Sequence, residues 1–181
     1  MSRRRSLIML MALLLCASFS GCVSDEKRAD MNMQEAADHA DGILDAVLKE
    51  LQPEVQWAHG PTTTGSCDVT RRRTVMTIVS AERRGSLLGV VDRFWRQNGY
   101  RIKAINNDVD VPAIFAQTKD GFGVTLSIGG KGQAFFEVDS PCVEESDVAE
   151  STTPPNGPSY EDVYPLPRPN VHSDFWSARA S

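Results

Sequence analysis

The chain has 181 residues, of which 41% are hydrophobic and 24% charged, and its 19 basic and 24 acidic side chains give a formal net charge of −5. That length suits one modest domain with flanking segments. The acidic total argues against nucleic acid as a partner, and the export signal described next argues against it again.

The chain begins as an address. Arg3, Arg4 and Arg5 give a basic start, Leu7 to Ala17 is apolar throughout, and Phe19-Ser20-Gly21-Cys22 sets small residues before a cysteine. This is the pattern of a bacterial lipoprotein signal. Residues 1–21 would be removed and Cys22 would carry the lipid, although Phe19 stands where such signals usually have Leu. An ordinary secretory signal cut near Ser18 or Ser20 would instead leave Cys22 a free thiol. Arg4-Arg5-Ser6-Leu7-Ile8 also resembles a twin-arginine export signal, so the route stays open. The apolar run is about half the ~20 residues that a spanning helix needs. Two acyl chains on Cys22 would hold the protein on the extracytoplasmic face of the cell membrane.

Charge is spread unevenly over the rest. Residues 22–52 hold three basic and eight acidic side chains, residues 53–142 eleven and nine, and residues 143–181 two and seven. A slightly basic centre thus lies between acidic flanks. Of the four cysteines, Cys16 falls in the signal and Cys22 at its end, leaving Cys67 and Cys142 as an even pair in an exported chain. We read these as a disulfide. Closing a loop of about 75 residues would contribute roughly 4 kcal/mol in the chain-entropy picture.

Residues 22–32 read as a polar tether. From there Met33, Ala36, Ala37, Ala40, Ile43, Leu44, Val47, Leu48 and Leu51 form a one-faced stripe, which predicts an amphipathic helix. Asn32 and Glu35 are spaced to cap it, and Pro53 lies beyond its end. Glu54 to Ala58 predicts a short strand, residues 60–66 a loop, and Arg73 to Ser80 a β-branched strand. Helical spacing returns from Gly85 through Leu87, Leu88, Val91, Phe94 and Trp95, with Gly99 placed to end that helix. Four further strands follow at Tyr100–Ile105, Ala113–Thr118, Phe122–Ile128 and Gln133–Asp139, separated by Pro112, Asp120-Gly121 and the glycines around Lys131.

The fold class expected is α+β, with an antiparallel sheet of about four to six strands and two amphipathic helices on one face. The domain would span residues 33–142. Residues 143–181 contain six of the ten prolines and seven acids, and read as a disordered, acidic, Pro-rich tail.

The signal with its cysteine, Trp57 with Gly60, Cys67, Arg84-Gly85 to Trp95, Gly99-Tyr100, Thr118-Lys119-Asp120-Gly121 and Ser140-Pro141-Cys142 together resemble small actinobacterial cell-envelope lipoproteins. The likeness covers about residues 1–142. It implies an envelope location and a two-cysteine frame. The activity of that family is uncharacterised, so no catalytic residue follows from the likeness.

Chemistry is hard to find. His39, His59 and His172 are the only histidines, none is placed for a nucleophilic triad, and no Gly-x-Ser-x-Gly elbow exists. Three scattered histidines offer no metal cluster, and no cofactor motif appears; residues 129–132 read as a hairpin turn rather than a phosphate cradle. The expected role is therefore a non-enzymatic binding module. Its partner would be an envelope protein or an anionic wall polymer. The alternative is a lipid-anchored hydrolase with its site near His59. Two contact surfaces are candidates: the basic cluster Arg71, Arg72, Arg73, Arg83 and Arg84, for an anion or partner, and Phe175 with Trp176 at the end of the tail.

Overall fold

The computed structural model describes residues 31–158, 160, 163 and 165–179, so the signal, Cys22 and most of the tether lie outside the described residues. Helix α1 runs Met33–Lys49 and opens on a reciprocal cap. The Asn32 side chain accepts from the Glu35 amide at 3.0 Å, and the Asn32 amide donates to the Glu35 carboxylate at 2.9 Å. Its stripe is buried as expected, with one addition: Asp41 lies among Ala37, Ala40 and Leu44 on the inward face.

Strands β1 (Trp57–His59), β2 (Thr63–Thr64) and β3 (Val69–Val75) follow, then helix α2 (Ala81–Gln97), and then β4 (Arg101–Asn106), β5 (Ala113–Gln117), β6 (Gly123–Ile128) and β7 (Ala134–Asp139). All neighbours are antiparallel, in the order β1-β3-β7-β6-β5-β4, with β2 also paired to β3. The chain crosses from β3 through α2 to the far edge, and the β4–β7 meander brings it back beside β3. Helix α1 packs over β3 and β7, and α2 over β4, β5 and β6. This is a two-layer α+β fold with an antiparallel sheet. The seventh strand is β2, two residues inside the stretch that reads as a loop.

Three boundaries move, the first of them slightly: the short strand expected at Glu54–Ala58 lies at Trp57–His59. The strand expected at Arg73–Ser80 lies at Val69–Val75, because three successive arginines conceal an alternation in which Val69, Arg71, Arg73 and Val75 all turn inward. Residues 76–80 leave that ladder and pair elsewhere. Helix α2 starts at Ala81 rather than Gly85, since Ala81 to Arg84 are adequate helix formers. It ends where expected, with Gly99 at φ +76°.

Alternation sets the two faces of the sheet. Ile114, Ala116, Val124, Leu126, Ile128, Ala134, Phe136 and Val138 turn toward the helices and are buried. Phe115, Thr125, Ser127, Phe135 and Glu137 take the opposite face, where no helix lies among the described residues. Cys67 and Cys142 are bonded, with Cα atoms 4.8 Å apart, joining the approach to β3 to the exit from β7.

Residues 143–179 contain no helix or strand element among those described, in keeping with their composition, yet they are laid along the domain. Glu144 pairs with the start of α1, where the Met33 amide donates to its carbonyl at 2.9 Å. Val171 pairs with Thr77, and the Ile78 amide donates to the Val171 carbonyl at 2.8 Å. Gly157 lies so close to β1 that an added Cβ would stand 2.8 Å from the Trp57 carbonyl oxygen. Trp176 is 1% exposed, and its indole N–H donates to the Pro53 carbonyl at 2.5 Å.

Candidate functional site

Pleating divides the arginines of β3. Arg71 and Arg73 turn inward toward α1, where a bare guanidinium would be costly, and Asp41 meets both. Its carboxylate accepts from Arg73 Nη2 at 2.6 Å and stands 3.2 Å from Arg71 Nε. Asp45, one turn further along α1, lies 3.6 Å from Arg73 Nη2. Among the terminal nitrogens, Arg71 donates to Thr62 Oγ1 at 2.6 Å and to the Ala149 carbonyl at 2.7 Å, while Arg73 Nε has no hydrogen-bond partner among the described residues. The Arg73 guanidinium lies 4.6 Å above the Trp57 ring. Two cations and two carboxylates balance, which makes this cluster an internal brace.

His59 completes it. Its Nδ1 lies 2.9 Å from Arg73 Nη1 and its Nε2 lies 2.8 Å from the Thr153 carbonyl. Guanidinium only donates and a carbonyl only accepts, so Nδ1 accepts and Nε2 carries the proton. Burial holds the imidazole pKa below its ordinary value, and the nearby Arg73 and Arg71 charges lower it further. The Thr153 carbonyl and Asp41 act the other way without prevailing. Both ring nitrogens are thus occupied. Ser151 and Thr153 stand in the same small pocket, but Ser151 accepts from Arg73 and Thr153 donates to Asp45. Neither hydroxyl forms a nucleophile–base pair with the imidazole. His39 pairs with Asp120 at 2.8 Å, and exposed His172 lies 3.9 Å from Asp174. Among the described residues no group of three or more His, Cys, Asp or Glu side chains is placed to hold a metal.

The basic cluster expected as an anion surface is therefore dispersed. Arg71 and Arg73 are buried, and Arg83 lies under Phe175 with its guanidinium 4.3 Å from the ring. Arg84 donates to the carbonyls of Val109 and Asp110 at 3.3 and 3.4 Å. Only Arg72 turns to the open face, ion-paired there with Glu137. The aromatic contact expected of the tail is corrected as well. Trp176 fills the domain's own interior, and Phe175 packs edge-on against it at 4.8 Å.

A cleft of about 550 Å³ opens on the face away from the helices, which sequence reasoning missed. Arg72, Thr74, Thr125, Ser127, Phe135 and Glu137 form its floor, Gly60 and Pro61 one wall, and Pro165, Leu166 and Arg168 another. The register explains the floor. Arg72, Glu137, Thr125 and Phe115 stand in one row across β3, β7, β6 and β5, and Thr74, Phe135, Ser127 and Ala113 stand in the next. Ser127 and Phe135 are separately legible as strand residues facing away from the core; the wall comes from a distant proline-rich segment that carries no periodic signal.

No family model matches the chain, and no curated protein does. Among solved structures, a crystal structure of a DUF4853 family protein from Actinomyces odontolyticus is similar, at 14% identity with a TM-score of 0.38, covering 72% of this chain and 76% of that one. Among the described residues no helix is long and apolar enough to cross a membrane.

Proposed function

We propose that the protein is a non-enzymatic binding module of the cell envelope, held on the extracytoplasmic face of the membrane by a lipid on Cys22, with the open-face cleft as its contact surface. The observation that carries this reading is the cleft itself: a half-buried aromatic ring amid hydroxyls and an ion pair, walled by the chain's own C-terminal segment. The lipoprotein-type signal and the bonded cysteine pair support export. Against a hydrolase centred on His59 stand the two occupied ring nitrogens.

A photoreactive amino acid at Ser127, on the cleft floor, tests the surface. In intact cells it is expected to capture an envelope component, whereas the same group at exposed Asn98, after α2, captures none. Equal capture at the two positions, or none at Ser127, overturns the reading. Mass spectrometry of the mature protein should find an acylated amino terminus at Cys22, and Cys22→Ser should release the protein from membranes; an unmodified terminus with membrane retention overturns the anchor.

A further inference from the structure

We propose that the cleft binds a neutral polyhydroxylated ring, a saccharide of one or two pyranose units. This rests on reading the cleft as the contact surface and goes further by naming the ligand's chemistry.

A volume of about 550 Å³ suits a small molecule. The two rows of the floor place the Phe135 ring between Thr74 and Ser127, with the Arg72–Glu137 pair and Thr125 alongside. Glycine at 129 is required for that ring position, since an added Cβ would lie 2.9 Å from Phe135 Cε2. Arg72 is held by Glu137 through Nε and by the Pro61 carbonyl and Thr63 Oγ1 through Nη1, leaving Nη2 without a partner among the described residues. Glu137 accepts at Oε2, and its Oε1 has no partner among the described residues and can face a ligand. Gln133 donates to the Pro167 carbonyl and keeps its amide oxygen as an acceptor. The cleft thus offers a pure donor, pure acceptors and hydroxyls that do both, around one apolar ring.

A pyranose matches this set. Its C–H face can lie on Phe135 while its hydroxyls, each donor and acceptor, meet the surrounding groups. Other ligand classes fit less well. An acyl chain would leave the hydroxyls and the ion pair without water or partners. An anion would meet Glu137, and a cation would meet Arg72 and Arg168. An extended peptide would need a free strand edge, yet β3, β7 and β6 are each paired on both sides.

The test is titration of the ¹⁵N-labelled full chain, followed by NMR, with maltose, cellobiose and N,N′-diacetylchitobiose as separate probes and adenosine as a control. At least one disaccharide should give saturable shifts confined to residues 72–74, 125–127 and 133–137. Phe135→Ala should weaken binding about tenfold or more, the equivalent of one stacked ring face. Ser127→Val serves the same purpose should Phe135→Ala fail to fold, and should weaken binding severalfold. Shifts with adenosine alone, or saccharide shifts outside the cleft, overturn the proposal. Silence from all three sugars, with a protein captured at Ser127, overturns the ligand class and leaves the surface reading standing; silence together with no capture overturns both.

Discussion

The two faces of the sheet use the same chemistry to opposite ends, and β3 shows it within three residues. Arg71 and Arg73 are enclosed beneath α1 with Asp41, while Arg72 between them lies on the open face with Glu137. Pleating alone assigns these roles. On the enclosed face an ion pair lacks water to fall back on, so its charges must be balanced by fixed partners. On the open face the pair is about one-third exposed and can exchange water for a ligand. A guanidinium–carboxylate contact is thus structural on one side and available for recognition on the other.

The strongest way to break that comparison is to delete Asp41. Asp41→Ala would leave two buried guanidinium groups facing one partly exposed carboxylate, Asp45. Breaking a buried pair by removing one partner costs about 3–5 kcal/mol, so thermal unfolding should begin roughly 10 °C lower. Replacing Asp41, Arg71 and Arg73 together by Leu, Met and Met should recover much of the loss, because the desolvation cost disappears with the charges. A loss under about 1 kcal/mol for the single variant would show that the cluster is hydrated and that the two faces do not differ.

Next comes the C-terminal segment, which closes the edge of the core and walls the cleft. Trp176→Ala removes a fully buried indole and its hydrogen bond to Pro53. A loss of about 3 kcal/mol is expected, with faster proteolysis after residue 143. Cleavage that is rapid in the parent and unchanged in the variant would mean that the segment is not docked.

How much of this was legible follows from where periodicity exists. Helix α1, its cap, Gly99, the strands from Tyr100 onward and the Cys67–Cys142 pair could be read because local pattern and tertiary role agree. Three arginines in a row read as surface, and nothing local shows that two of them are enclosed. One signal was present: Asp41 interrupts the apolar stripe of α1, and a carboxylate at a core position implies a buried cation elsewhere. The docked tail was illegible for a different reason. Its attachments are single backbone pairings at Glu144 and Val171, a glycine against Trp57 and one buried Trp, none of which repeats. The cleft depends on that segment, so it was hidden too.

A smaller effect sharpens the comparison through pH. His59 belongs to the enclosed face, and its neighbours are Arg73 and Arg71 on β3, Asp41 and Asp45 on α1, and the Thr153 carbonyl. Its pKa in the folded protein lies below the ordinary 6.5, so near that pH the unfolded chain binds more protons than the folded one. Its contribution is complete above pH 6.5 and is lost as pH falls toward the folded value. The urea midpoint should therefore drop between pH 7.5 and 5. Gln at position 59 can donate to Thr153 and accept from Arg73 without titrating, so His59→Gln should flatten that part of the profile. An equal drop in parent and variant would place the proton uptake elsewhere.

The smallest change belongs to the open face and completes the contrast. Glu137→Gln removes a carboxylate paired with an arginine, as Asp41→Ala does, but here both partners are about one-third exposed. Water can solvate the Arg72 guanidinium once its partner is neutral, and Nη1 keeps the Pro61 carbonyl and Thr63 Oγ1. Pairs of this exposure contribute about 0–1 kcal/mol, so the unfolding midpoint should barely move. Saccharide affinity in the cleft should fall severalfold, because Oε1 as a charged acceptor is lost and the freed Arg72 Nε shifts the donor pattern beside Phe135. Stability unchanged with binding reduced separates recognition from support. A loss of stability comparable with that of Asp41→Ala would instead make the open face a second structural brace, and the cleft an incidental gap beneath the C-terminal segment.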